Sequence, residues 1–188
     1  MLIYQLFILG CLLVFLGILL KNLFDVKTLP NRQVQPPASH TPLVSILVPA
    51  RNEAHNIEQC VRSLFAQTCP NIEILVLNDN SEDQTGEILA RLAAEDARLK
   101  VLSGTALPDG WLGKCWACHQ LSEQAQGQFL CFTDADTIHE PQSLERAIAA
   151  LEQNRADMLT LITGQVLGSF WERVIVPLVH FSVLCYLP

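Results

Sequence analysis

Phe129-Leu-Cys-Phe-Thr-Asp-Ala-Asp136 is the stretch that decides the fold. Five residues suited to a buried strand run directly into two carboxylates spaced i, i+2. A short apolar run rich in aromatic side chains predicts a central strand of a parallel sheet, covered on both faces. In open α/β sheets ligands bind beyond the carboxyl ends of the strands, and that edge here presents Asp134 and Asp136. Two hard oxygen ligands with one small residue between them suit Mg²⁺ or Mn²⁺, whose shells are completed by substrate phosphates and water. The same Asp-Ala-Asp could instead cap a helix starting near Pro141.

Upstream, the chain repeats a strand-then-helix pattern. Leu43 to Val48 is an apolar strand that Pro49 is expected to stop, which leaves Arg51 and Glu53 at its carboxyl end. Asn56 to Ala66 carries Ile57, Val61, Leu64 and Phe65 at helical spacing. Ile72 to Leu77 is a second strand ending in Asn78-Asp79-Asn80-Ser81. A helix from Asp83 to about Glu95 follows, with Ile88, Leu89 and Leu92 inward. Asp83 or Ser81 suits its cap, whereas Asp79 stands before the cap, where an acid can accept hydrogen bonds from a base or ribose. Leu99 to Leu102 is a short third strand near an edge.

Gly104 to Lys114 is a glycine-rich loop leading into a helix over Cys115 to Gln124. A phosphate-loop motif fails on spacing, and Cys115 replaces its Ser or Thr. Lys114 opposes the dipole at a helix amino terminus and is therefore directed at an anion. Gln128 to Thr133 is the fourth strand, Pro141 to Gln153 a helix, and Asp157 to Ile162 a fifth strand. Alternating elements joined by short loops give an α/β fold with a mostly parallel, Rossmann-like sheet and flanking helices. Its carboxyl edge collects Arg51, Glu53, Asp79, Lys114, Asp134 and Asp136. Two cations among four acids is the balance expected where a divalent metal meets a diphosphate. His139, close behind Asp136, is either a further ligand or a solvated loop residue.

The chain has 188 residues, 50% of them hydrophobic, enough for one domain and a modest core. Part of that content lies in Leu2 to Leu20, a 19-residue run without a charge, which as a helix would be about 28 Å long. No basic region precedes it and no small-x-small site follows, so a retained transmembrane anchor is expected over a cleaved signal peptide. Lys21, Lys27 and Arg32 after the run place the remainder in the cytoplasm. Residues 28 to 42 hold four of the ten prolines and read as a tether. The net charge of -7 excludes a nucleic-acid partner. Seven cysteines among apolar neighbours are not a disulfide framework in that compartment. Cys115-Trp-Ala-Cys118-His119 matches haem-attachment and redox spacings, but topology opposes the first and position in the fold the second. Two small residues on a helix packed against the sheet is the preferred reading.

Four segments in order then resemble family 2 glycosyltransferases with the GT-A fold. They are Val48-Pro49-Ala50-Arg51-Asn52-Glu53, Asn78-Asp79-Asn80-Ser81 with Asp83 and Thr85, Gly113-Lys114 with Trp116-Ala117, and Asp134-Ala135-Asp136 as the D-x-D motif. The likeness covers about residues 43 to 165. Within the family, Leu107 to Ala117, Gly168 to Glu172 and the amino-terminal helix resemble hopanoid- and carotenoid-associated membrane glycosyltransferases. The resemblance implies a nucleotide-sugar donor held by Pro49, Ala50, Arg51, Glu53 and Asp79. Lys114 would lie near base and diphosphate, Asp134 at ribose or metal, and Asp136 on a divalent Mg²⁺ or Mn²⁺. It implies direct displacement with inversion, and a lipid-like acceptor at the cytoplasmic face.

The expected organisation is an anchor over 1–21, a linker over 22–42, a donor-binding domain over 43–165 and an apolar membrane-associated segment over 166–188. Family members take their catalytic base from an acidic motif well downstream of D-x-D, and no such motif precedes Pro188. Glu172 opens an apolar stretch and reads as an interface residue. Val174 to Leu187 is too short to span a bilayer and is either interfacial or the start of a longer segment. The catalytic base is therefore unassigned, and the chain is expected to be truncated at its carboxyl end. The alternative function is a catalytically incomplete nucleotide-sugar-binding module. A nucleotidyltransferase is disfavoured because no glycine-rich, arginine-containing loop follows the first strand.

Overall fold

A computed structural model of the chain describes residues 1–25, 29 and 42–186. The proline-rich tether falls outside these residues, save positions 29 and 42. The chain divides into two compact units, one of residues 31–157 and one joining 1–30 to 158–188.

In the first unit four parallel strands form one sheet in the order β3-β2-β1-β4. They are β1 (Val44–Ala50), β2 (Ile72–Asn78), β3 (Leu99–Ser103) and β4 (Phe129–Phe132). Each is followed by a helix or a loop that leads to one: α2 (Ile57–Phe65), α3 (Thr85–Glu95), α4 (Gly113–Gln124) and α5 (Ser143–Asn154). Strand periodicity sorts the core. Val44, Ile46, Val48 and Ala50 of β1 pack with Ile74 and Val76 under Ile57, Val61 and Leu64 of α2 and Leu89 and Leu92 of α3. The opposite face sets Leu47, Leu75 and Leu77 against Ala117 and Leu121 of α4.

The structure departs from expectation in three places. First, β4 is not central: among the described residues it pairs with β1 alone, and its alternate residues Leu130 and Phe132 are 45% and 52% exposed. An apolar run this short does not distinguish a doubly covered strand from an edge strand. Secondly, Asp157 to Ile162 forms no strand, because it has no ladder partner among the described residues and its large side chains stay exposed. Thirdly, Pro49 does not stop the ladder, for β1 continues to Ala50, whose carbonyl accepts from Asp79 N–H at 2.8 Å. Leu47 carries its ladder groups toward β4, accepting from Thr133 N–H at 3.1 Å. Pro49, two residues on, faces the same side beyond the end of β4, where no strand among the described residues needs a donor.

The other unit contains α1 (Leu2–Asp25), long and apolar enough to cross a membrane, and α6 (Phe170–Tyr186), which contains Pro177. Glu172 forms half of a capping box. Its carboxylate accepts from Gly168 and Ser169 N–H at 2.7 and 3.0 Å, while Ser169 Oγ accepts from Glu172 N–H.

Candidate functional site

Pro49, Ala50, Arg51, Glu53, Asp79, Lys114, Asp134 and Asp136 all line one cleft of about 280 Å³ at the carboxyl edge of the sheet, with Gly113, Ala117 and Ala135. Topology places them there. The loops after β1, β2 and β4 leave adjacent parallel strands at one edge, and α4 begins above them.

The first two loops are stitched together by side chains. Asn52 and Asn80 both adopt left-handed backbone, with φ of 57° and 53°, a conformation asparagine tolerates better than most residues. Asn52 N–H donates to Ser81 Oγ at 3.0 Å, and Asn52 Oδ1 accepts from Glu82 N–H at 2.8 Å. Glu53 N–H donates to Thr85 Oγ1, and Ala54 N–H to Asp83 Oδ2, at 2.8 and 3.0 Å. Asp83 also accepts from Thr85 N–H and hydroxyl. The Thr85 hydroxyl, followed by these backbone donors, holds the Asp83 carboxyl below the usual range. Asp83 is thus a cross-link between loops as well as a local turn former. Gln84 occupies the N-cap position of α3.

Gly104, just beyond β3, was not singled out from the sequence. A Cβ there would lie 2.8 Å from Asp79 Oδ1 and 3.1 Å from Asp79 Cα. Its signal was an isolated glycine at a strand end, which marks close backbone approach. Gly104→Ala should displace Asp79 and weaken nucleotide binding roughly tenfold, the equivalent of one hydrogen bond to a charged group. Calorimetric titration with UDP and GDP checks this, and unchanged affinity would count against the donor-binding role that the resemblance implies for Asp79.

Lys114 Nζ lies 2.6 Å from Asp134 Oδ1, both side chains more than half exposed. The Asp134 hydrogen bond, against partial burial, raises the lysine pKa, so the ammonium stays charged across neutral pH. Behind this pair a half-buried polar cluster supports the Asp134–Asp136 loop. Thr137 Oγ1 donates to the Asp134 carbonyl at 2.7 Å, and His139 Nε2 sits 2.9 Å from Thr133 Oγ1 and 3.1 Å from Thr137 Oγ1. The buried Cys60 thiol, its pKa pushed up to about 11 by desolvation, remains protonated and donates to the same carbonyl at 3.7 Å. His139 is neither a solvated residue nor directed at the cleft. Burial lowers its pKa and keeps the ring neutral.

The preferred reading of the cysteine pair holds: both lie on α4, which packs against the sheet through Ala117 and Leu121. Cys115 is exposed, Cys118 half-buried, and the residues α4 buries are Ala117 and Leu121. Trp111, Trp116 and His119 form a ring cluster with centroids 5.1–5.4 Å apart.

Among the described residues no cluster of three or more His, Cys, Asp or Glu side chains is arranged to hold a cation alone. Asp134 and Asp136 nevertheless form a hard-oxygen pair at the mouth of a cleft that also holds an anion-directed lysine. That donor set fits Mg²⁺ or Mn²⁺ with its remaining ligands from a diphosphate and water.

Comparison with known proteins places this arrangement. Residues 45–180 match the model of Glycosyl transferase family 2. An uncharacterized glycosyltransferase, EpsJ of Bacillus subtilis, is 36% identical over 118 residues, 63% of this chain and 33% of that protein. The β-monoglucosyldiacylglycerol synthase of Trichormus variabilis is 42% identical over 97 residues, 50% of this chain and 20% of that protein. The chain thus spans well under half the length of these curated relatives. Staphylococcus aureus TarS 1–349 in complex with UDP superposes with a TM-score of 0.52 at 26% identity, covering 67% of this chain and 38% of that one. A Pyrobaculum calidifontis mannosyltransferase shares the fold, with a TM-score of 0.56 at 24% identity over 73% of this chain and 41% of that one. The family match covers most of the sheet and every residue of the cleft, and the chain belongs to glycosyl transferase family 2.

Proposed function

We propose that this chain carries the donor site of a membrane-anchored, inverting glycosyltransferase that moves a sugar from a nucleotide-diphosphate sugar to a lipid-like acceptor. The observation that carries this reading is the convergence of Arg51, Glu53, Asp79, Lys114, Asp134 and Asp136 on one cleft. The UDP complex of TarS and the lipid named for the Trichormus relative support donor and acceptor class respectively. The narrower association with hopanoid or carotenoid enzymes rests on the likeness of residues 107–117.

In this reading Pro49, Ala50, Arg51, Glu53 and Asp79 hold the nucleoside. Lys114 turns its ammonium from Asp134 to the diphosphate, where the amino terminus of α4 adds its own partial positive charge. Asp134 and Asp136 would hold the divalent cation. When bound, it offsets the negative charge that develops on the departing nucleoside diphosphate. All four cleft carboxylates are then engaged by donor or metal, which assigns none of them as the base that deprotonates the acceptor hydroxyl. A nucleotide-sugar-binding module without turnover is the second reading this supports.

The proposed organisation is an anchor over 1–21, a linker over 22–42 whose first residues, to Asp25, still belong to the helix α1, a donor domain over 43–165 and an apolar membrane-associated segment over 166–188. Lys21, Lys27 and Arg32 favour a cytoplasmic donor domain. Calorimetry on the full chain in detergent should give UDP or GDP binding that Mn²⁺ tightens about tenfold or more. A folded sample that binds neither nucleotide would overturn the donor reading.

A further inference from the structure

We infer that His139 is a positioning residue which donates from Nε2–H into a Thr133–Thr137 hydrogen-bond chain and so fixes the backbone of the Asp134–Asp136 loop. This inference rests on the donor reading above for its consequence, but not for its geometry. Proton counting carries it. Four contacts share the cluster: Thr133 Oγ1 to Thr137 Oγ1 at 2.8 Å, His139 Nε2 to Thr133 Oγ1 at 2.9 Å and to Thr137 Oγ1 at 3.1 Å, and Thr137 Oγ1 to the Asp134 carbonyl at 2.7 Å.

The carbonyl can only accept, so the Thr137 proton is spent on it. If Nε2 bore a lone pair, the Thr133 proton would serve either the ring or Thr137, and one contact shorter than 3 Å would lack a hydrogen. With Nε2–H the order is continuous: His139 to Thr133, Thr133 to Thr137, Thr137 to the Asp134 carbonyl. The ring N–H also points within reach of Thr137. The residue is held at its main chain as well, since the His139 backbone N–H donates to Ser63 Oγ at 3.0 Å and the Ser63 hydroxyl donates to the Cys60 carbonyl at 2.7 Å. The chain therefore ties the loop bearing both candidate metal carboxylates to α2, which is anchored in the core.

Loss of a partner that orients metal ligands typically costs ten- to a hundredfold in metal affinity. The amide nitrogen of Gln reaches where Nε2 stands, whereas that of Asn corresponds to Nδ1. On the full chain in detergent, His139→Asn should weaken the Mn²⁺-dependent part of UDP or GDP affinity by about tenfold and leave metal-free affinity unchanged, while His139→Gln stays within about threefold of the parent. Thr133→Val, which removes the central donor with little change of volume, should reproduce the Asn result. Equal losses in Asn and Gln, or parallel losses with and without Mn²⁺, would overturn the assignment. If the parent itself binds no nucleotide, the donor reading fails, and the ¹⁵N shifts of the imidazole still decide the tautomer. A protonated Nε2 supports the chain; a protonated Nδ1 with bare Nε2 overturns it.

Discussion

Asp136→Ala should abolish the Mn²⁺-dependent part of UDP or GDP affinity, a loss of about tenfold or more on the donor reading proposed above, since a hard divalent cation needs its carboxylate ligands. The two acids of the motif are not equivalent. Asp134 is ion-paired to Lys114 at 2.6 Å, so its loss also unpairs a cation of the same cleft. Asp136 acts on Lys114 through the field, and its substitution leaves that ion pair standing. The variant is thus the cleaner test of metal binding. Asp136 is exposed, while its neighbour Ala135 is 3% exposed and keeps the loop packed on the core. The melting temperature should therefore move little, as expected for a surface substitution worth within about 0.5 kcal/mol. Calorimetry of UDP and GDP with and without Mn²⁺ reads the result. Retained metal dependence in the folded variant would take Asp136 out of the metal site.

What was legible in the sequence was the part that periodicity and chain order control. Apolar runs of β1 and β2 are buried along their whole length, and the stripe Ile57, Val61, Leu64 of α2 is covered as its spacing requires. Because the strands are parallel, residues just after them had to share one edge, so the cleft followed from local reading alone. What the sequence did not disclose depends on contacts distant along the chain. Whether β4 is central or peripheral is a question about its neighbours, which a four-residue strand does not encode. The closeness of Gly104 to Asp79 arises from how loops from different strands fold back, and the hold of His139 on α2 comes from its backbone N–H reaching Ser63, 76 residues away along the chain. Ser45 and Glu73 illustrate the same point from within the sheet. They look like interruptions of apolar strands, yet they sit in register on β1 and β2 and hydrogen-bond to each other at 2.6 Å.

That buried pair underlies the second large effect, a loss of stability in Gly127→Ala. Glu73 is 6% exposed. Burial opposes its charge, but the Ser45 hydroxyl, Gln126 N–H and Lys100 ammonium outweigh this and hold its pKa below the usual carboxylate range. Gln126 N–H donates to Glu73 at 2.7 Å, Gly127 N–H to Ser45 Oγ at 2.8 Å, and Gln128 N–H to the Leu43 carbonyl at 2.8 Å. Three successive backbone donors thus dock the chain that enters β4 onto β1 and β2. A Cβ at residue 127 would meet Ser45 N at 2.6 Å, Ser45 Oγ at 2.7 Å and the Leu43 carbonyl at 2.8 Å. Two of those atoms are backbone at the start of β1 and just before it and cannot step aside, so the segment must lift, opening the donors it had satisfied. Overpacking of this kind costs about 2–3 kcal/mol, which for a unit of this size lowers the melting temperature by roughly 5–10 °C. Because β4 carries the Asp134–Asp136 loop, metal-dependent nucleotide affinity should fall as well. Ser45→Ala in the same chain relieves one of the three close contacts but takes the hydroxyl partner from Glu73 and from Gly127 N–H, and should not restore stability. A melting temperature for Gly127→Ala within about 1 °C of the parent would mean that the turn has slack, and that β4 is held by its ladder to β1 more than by this buried polar anchor.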